Sequence, residues 1–395
     1  MDPITNPYSP GAGLRPPELA GRDPEIANFE VLLARAAQGR ANQSLILTGL
    51  RGVGKKVLLT DLASRARHAG WVVAQVEARP DEAGARASFR YRVARELNSS
   101  LRQLTGRWGV GDRLRAALAT LTSFSIKTDP SGSLSIGVDV DARRGRADTG
   151  ALDVDLTELA FDLAESAVEH GGGVVVLVDE MQDLEASELS AICAACHQAG
   201  QRSVPFYVVG AGLPSLPGLL AEARSYAERL FAYRPIGPLD PGAANLAVTR
   251  PASTQAVAWA PAAVELVLAQ SSGYPYFLQE FAKATWESAA GPGIERIDAE
   301  IGVEVGRERL DAGFFRSRWT RATPAEREYL KAMAPDGAGP SSSGEIARRL
   351  GKTRVQQVGP TRANLIHKGL VYAPEHGQIA FTVPGMADFL HRQTD

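Results

Sequence analysis

Cysteine is nearly absent: Cys193 and Cys196 are the only two in 395 residues, too few for the disulfide framework that staples small secreted domains. They sit in Cys193-Ala194-Ala195-Cys196-His197, which has the spacing of a c-type haem attachment. The small, apolar run around them, 189–196, reads instead as a buried helix carrying two reduced thiols. No apolar stretch reaches the length of a membrane span, and Met1-Asp2-Pro3-Ile4-Thr5-Asn6-Pro7 lacks the basic start and apolar core of a signal peptide. These absences predict a cytoplasmic protein with no membrane partner. Excess positive charge is missing too. At a net charge of −2 the chain is no basic coat for nucleic acid, so any DNA contact must come from a local patch. Apolar residues are plentiful, 44% of the chain, enough to pack cores in about two or three domains.

Residues Gly49-Leu50-Arg51-Gly52-Val53-Gly54-Lys55-Lys56 match a phosphate-cradling P-loop at every position except the last, where Lys56 replaces Ser or Thr. The glycines let backbone N–H groups turn inward around an anion. The helix beginning at Gly54 aims its positive end at the phosphates, and Lys55 reaches the β and γ oxygens. The apolar run 44–48 precedes the loop and the helical pattern 57–63 follows it, which is the strand, loop, helix order the motif needs. The expected ligand is ATP or ADP, held by Gly49, Gly52, Val53, Gly54, Lys55, Lys56 and Val57. The hydroxyl missing at position 56 ordinarily holds Mg²⁺, and an ammonium there either repels the ion or occupies its site.

Before the loop lie a proline- and glycine-punctuated arm, 3–17, and a helix over 24–38, with Asp23 placed to cap it and Pro24 at its first position. A strand over 71–76 follows the P-loop helix and completes a right-handed β-α-β unit. A long insertion, 80–172, holds an Arg-rich helix over 87–104. It also holds two alternating runs about Asp129-Pro130-Ser131-Gly132, read as a hairpin over about 123–141. That hairpin is either an edge elaboration of the sheet or a contact element for a partner. A helix over 155–170 leads to Gly173-Val174-Val175-Val176-Leu177-Val178-Asp179-Glu180, an unbroken apolar run of the kind a central parallel strand needs. Its two carboxylates emerge at the ligand-binding edge of such sheets. Asp179 would orient Mg²⁺ or its water, and Glu180 would polarise the attacking water as general base.

With Gly21-Arg22-Asp23, the P-loop, Val178-Asp179-Glu180-Met181-Gln182-Asp183, the strand 205–210 with its Ala211-Gly212-Leu213-Pro214 exit, and Ala227-Glu228-Arg229-Leu230-Phe231, the chain resembles the AAA+ superfamily. The resemblance is to the archaeal and origin-recognition branch with a C-terminal winged helix, and it covers nearly the whole chain. It implies an α/β fold, a P-loop AAA+ core with a parallel sheet over 1–240, a helical lid over 241–318 and a winged helix-turn-helix over 319–395. It also implies a polar sensor after the strand 205–210 and a lid arginine that reads the γ-phosphate; the corresponding segments here are Gly210-Ala211-Gly212 and Gly273-Tyr274-Pro275-Tyr276-Phe277-Leu278-Gln279, which supply neither. Arg229 is the candidate arginine finger in trans, with Arg224 second, in a homo-oligomer.

In the last segment, Ser342 and Glu345 stand at capping-box spacing before a helix that ends at Gly351. A second helix over 353–368, bent at Gly359-Pro360, and two strands within 371–383 follow, in the order of a winged helix-turn-helix. From Ser341 onward seven Lys/Arg face four Asp/Glu, a local excess of positive charge in a slightly acidic chain. Arg348, Arg349, Lys352, Arg354 and Arg362 are the expected contacts to double-stranded DNA, with Gln356 and Gln357 near base edges; packing against a protein or the lid is the other use of such a module. The leading expectation is a DNA-associated ATPase in which ATP binding or hydrolysis controls DNA engagement or assembly. The alternative is a nucleotide-binding regulatory switch with weak or no hydrolysis that signals to a protein partner.

Overall fold

In a computed structural model, which describes residues 1–11, 13–79, 88–108, 111–126 and 145–393, the first half of the chain folds around one parallel sheet. Helix α1 (Asp23–Ala37) leads into β1 (Ser44–Thr48), α2 (Lys55–His68) and β2 (Val72–Glu77). Three helices follow, α3 (Phe89–Trp108), α4 (Asp112–Ile126) and α5 (Leu152–Val168), and then β3 (Val174–Asp179). Helix α6 (Ala186–Gln201), β4 (Phe206–Gly212), α7 (Leu216–Ala223), α8 (Ala227–Leu230) and β5 (Phe231–Pro235) complete this half.

The strand order is β2-β3-β4-β1-β5, every pair parallel. The unbroken apolar run of β3 is explained by its two covered faces. Val175 and Leu177 pack with α1 and α2, while Val174, Val176 and Val178 pack with α3 to α6, as alternation along a strand requires. β1 and β2 are not neighbours, because β4 and β3 lie between them. The expected β-α-β unit therefore spans the sheet, and its crossover sets Glu77 beside Asp179 in the β2–β3 register.

Two local expectations are corrected. Asp23 makes no side-chain cap; it is the first residue of α1, and Arg22 takes the cap position. Residues 123–126, expected to open a hairpin, are the end of α4. Leu114, Ala117, Leu118, Leu121 and Phe124 recur at helical spacing and are all buried, and that burial outweighs the alternating pattern. The rest of the expected hairpin, 127–141, lies outside the described residues.

The second half begins with α9 (Pro241–Ser253), capped by Asp240, whose Oδ1 accepts from the Ala243 N–H at 2.9 Å. It continues through β6 (Ala258–Trp259), α10 (Pro261–Ser271), α11 (Pro275–Ser288), β7 (Gly293–Ile294), α12 (Arg296–Arg309), a π-helical turn over Leu310–Phe315, and α13 (Arg316–Arg321). The expected all-helical segment thus includes one short parallel pair, β6 with β7.

Next come α14 (Pro324–Met333), β8 (Ser341–Ser342), α15 (Ser343–Arg349), a 3₁₀ turn over Val355–Val358, α16 (Gly359–His367), β9 (Val371–Tyr372), β10 (Gln378–Phe381) and α17 (Met386–Arg392). Strands β8, β10 and β9 form an antiparallel sheet in that order. The Thr323/Glu326 capping box of α14 is made in full. The one expected at Ser342 is not, since Glu345 turns to Arg348 and Arg349. The break at Gly359 falls where Pro360 was expected to bend the helix. Helices α9 to α17 share one apolar core, in which Phe315 of the π turn stacks on Phe389 of α17 with ring centroids 5.3 Å apart. Among the described residues no helix is long and apolar enough to cross a membrane.

Candidate nucleotide site

The loop 49–54 turns at the C-terminal edge of β1, where Gly52 and Gly54 take φ of 89° and 91°, a region that glycine enters without steric cost. Gly49 has backbone against it, since a Cβ there would lie 2.1 Å from the Ile236 carbonyl oxygen. Helix α2 opens directly after the loop, at Lys55. The Lys55 side chain is buried and donates to the Gly49 and Leu50 carbonyls at 2.8 and 2.9 Å. Burial pushes its ammonium down to about 8, against the pull of Glu180 and Asp179.

Opposite stand the carboxylates that end β3. Burial and the neighbouring Glu180 push Asp179 up to about 6, opposed by Lys56 and by the Glu180 N–H that donates to its Oδ1 at 3.0 Å. Glu180 has a left-handed backbone, φ 49°. Its Oε2 accepts from Gln182 Nε2 at 2.7 Å and faces the Arg51 guanidinium at 3.5 Å. Gln182 in turn accepts from the Leu213 N–H at 3.0 Å, beyond the end of β4. The glycine-rich exit of β4, which lacks the polar sensor that the resemblance implies, makes room for this amide: a Cβ on Gly212 would lie 2.6 Å from Gln182 Oε1. Lys56 reaches Glu77 at 2.9 Å and Asp179 at 3.8 Å.

Arg51, Lys55, Lys56, Glu77, Asp179 and Glu180 line a cavity of about 410 Å³ together with Val53, Gly54, Val57, the arm, Tyr276, Gln279, Phe314 and Arg318. Arg318 was not singled out in the sequence. It lies on Phe314, 3.9 Å above the ring centroid, and donates to the Phe314 carbonyl at 2.5 Å. Burial pushes it down to about 10, helped by the nearby Arg51 and Arg321. A cation from the second half of the chain therefore enters the cavity, well downstream of the segment 273–279 in which a lid arginine was sought. Arg22 donates to the Val53 and Gly237 carbonyls at 2.9 and 2.7 Å and holds the back of the loop.

The N-terminal arm is the other surprise. Tyr8 is buried, donates to the Val248 carbonyl and accepts from Trp259 Nε1 at 3.0 Å. The Ser9 N–H donates to Gln279, and Arg15 pairs with Asp61 of α2 at 3.0 Å. The arm thus crosses from α9 and α11 to the P-loop helix over the cavity, a path that its prolines and glycines alone do not reveal. The segment just past β10 also meets the loop: the Arg51 N–H donates to the Thr382 carbonyl at 2.9 Å.

The remaining sequence-picked residues lie elsewhere. Arg229 is exposed on α8, at the sheet edge opposite the loop, because β5 runs away from it parallel to β1. Arg224 is tied to Ser190 and Asp153. Arg349 pairs with Asp336 at 2.7 Å and donates to the Ala332 carbonyl, Arg348 pairs with Glu345, and Arg362 donates to the Gln378 carbonyl at 3.0 Å. Lys352 and Arg354 are exposed in the turn after α15. Cys193 and Cys196 are free and buried, with their thiols pushed up to about 11 and about 12 by burial.

Residues 18–209 match the family model of the AAA ATPase domain, and residues 312–390 match that of a domain of unknown function, DUF8462. No curated protein matches the chain significantly. Among solved structures, the chain is similar to the Walker-type ATPase PABY2304 of Pyrococcus abyssi at 16% identity, over 95% of this chain and 97% of that one, with a TM-score of 0.57. It is also similar to the RuvB Holliday junction branch migration motor of Thermotoga maritima (17% identity, 97% and 100% covered, TM-score 0.46) and to the Orc1 protein of Aeropyrum pernix in complex with DNA (18%, 96% and 94%, TM-score 0.44). At these identities the first likeness speaks for the fold alone, and the other two are too distant to add to it. The residues that match the AAA ATPase domain model, 18–209, include the P-loop at the C-terminal edge of the five-stranded parallel sheet.

Proposed function

We propose that this protein is an ATP-binding switch in which occupancy of the P-loop is passed to a winged helix-turn-helix seated against it. The division is an AAA+ core over 1–240, a helical lid over 241–318 and the winged module over 319–395. The order α15, turn, α16, β9, β10 supports the last, and the entry of Tyr276 and Arg318 into the cavity supports the lid. Lys55, the loop N–H groups and Asp179 bind the nucleotide, Arg318 meets its phosphates, and Glu180 is the general base where hydrolysis occurs. The two buried free thiols fit a reducing compartment, the cytoplasm.

The observation that carries the switch is Arg51. One residue of the phosphate loop donates its N–H to Thr382, just past β10, and faces Glu180 through its guanidinium, and its Nε is buried with no hydrogen-bond partner among the described residues. A phosphate arriving in the loop must compete for this guanidinium, so the contact to Thr382 registers the change. Hydrogen exchange over 369–383, with and without saturating ATP, tests it. Protection that changes on binding is expected, and identical exchange in both states would sink the switch.

A second reading, a DNA-associated ATPase, draws on the Asp179-Glu180 pair and on exposed Lys352 and Arg354. Phosphate release that duplex DNA stimulates and Glu180→Gln abolishes would favour it over the switch. Arg229, on the far edge of the sheet, would then act only on the site of a neighbouring subunit.

A further inference from the structure

An AAA ATPase domain implies Mg²⁺, and the residues here do not fit it. The usual site takes a hydroxyl at the position after the P-loop lysine, with phosphate oxygens and water completing a tight octahedron around the ion. This chain has Lys56 there, and the fold directs its ammonium inward. The β2–β3 register brings Glu77 and Asp179 out of adjacent strand ends, and the ammonium lies 2.9 Å from one and 3.8 Å from the other. The arm packs on the stem: Gly13 lies so close to Lys56 that a Cβ there would be 3.0 Å from its Cδ. A divalent ion would meet a like charge where it needs a ligand, and would find Asp179 already engaged.

We propose that Lys56 is a built-in counter-cation that takes the place of the divalent ion, so that this site binds nucleoside di- and triphosphates free of metal. The proposal rests on the reading of the cavity as a nucleotide site. Two adjacent ammonium groups, Lys55 and Lys56, then neutralise the phosphates. Lys56, with 44% of its side chain exposed, is free to turn from Glu77 toward them. Such a site holds nucleotide well and transfers phosphoryl groups slowly, because a single ammonium bridges and polarises the β and γ oxygens less than a divalent ion does.

The test is a calorimetric titration of the full chain with ADP and with ATP, in EDTA and in excess Mg²⁺, beside Lys56→Thr and Lys56→Met. Wild-type affinity should differ by less than about three-fold between the two conditions, whereas Lys56→Thr should bind at least about ten-fold more tightly with Mg²⁺ than without. Lys56→Met, which has neither cation nor hydroxyl, should bind weakly in both. A wild type that needs Mg²⁺ by ten-fold or more, on the order of 1.4 kcal/mol, overturns the proposal and leaves nucleotide binding intact. Absence of wild-type binding in both conditions overturns both readings. The wild-type comparison requires no variant to fold, and thermal melts of the two variants identify any that does not.

Discussion

Around the P-loop, Arg51, Lys55, Lys56 and Arg318 line one cavity, whereas in the C-terminal unit Arg349, Arg362 and Lys368 turn inward onto the carbonyls and carboxylates of their own surroundings. In the sequence both groups are simply basic residues. The first comes from two stretches far apart in the chain, the loop at 51–56 and Arg318, and converges on one cavity. The second is mostly local and is satisfied where it stands; Lys352 and Arg354 are exposed, as is Arg348, which Glu345 holds. A count of cations therefore measures the capacity for anion binding only after subtraction of those already bonded.

The largest effect that would sharpen this comparison is at Lys55. Lys55→Ala should weaken nucleotide binding by about a hundred-fold, the loss of two or so charge-assisted bonds to phosphate. A titration in which the variant binds as the wild type does would place the ligand elsewhere.

Acidity separates affinity from stability at the same residue. Because the Lys55 ammonium, held at about 8 in the folded protein, is the form that pairs with phosphate, affinity should be flat below that pH. Above it, affinity should fall by up to about ten-fold per unit as the proton is lost. Stability of the free protein should move the other way. The folded pKa lies below the ordinary 10.5, so between about 8 and 10.5 the unfolded chain binds more protons, and rising pH favours the fold. Titrations and denaturant melts across this range, with Lys55→Ala as the control that should remove both trends, measure the two signs independently.

In the C-terminal unit the expected effect is on stability. Lys368 pairs with Glu326 at 2.6 Å and donates to the Arg321 carbonyl, and the Glu326 side chain is only 3% exposed. Lys368→Met should cost about 1–2 kcal/mol in denaturant unfolding, since it strands a carboxylate, while leaving nucleotide affinity unchanged. An equal loss of affinity would mean that the two clusters are not separable.

The smallest effect is expected at the exposed pair. Lys352→Glu with Arg354→Glu should lower the salt slope of any duplex binding by about two, and by more than reversal of Arg349 and Arg362 does. The opposite order would show that the inward-facing arginines are released on DNA.

The parts of the fold that were legible in the sequence rest on neighbours in the chain. Strand, glycine loop and helix at 44–68, and the apolar β3 ending in Asp179-Glu180, each declare themselves through local pattern. The false hairpin over 123–126 shows the limit of such pattern. Alternation and helical spacing coexisted there, and only packing on α5 chose between them.

The sequence by itself determined the ligand class and the sheet that presents it, because a phosphate loop is made of consecutive residues whose backbone geometry needs no distant partner. Only the tertiary structure decided that Arg318 enters the cavity, that the arm of Tyr8 and Arg15 crosses over it, that Gln182 holds Glu180, and that Lys56 turns onto Glu77 and Asp179. Each of these depends on where a side chain finds its opposite charge or its hydrogen-bond partner. That is a matter of strand order and helix packing, which separation along the chain does not encode.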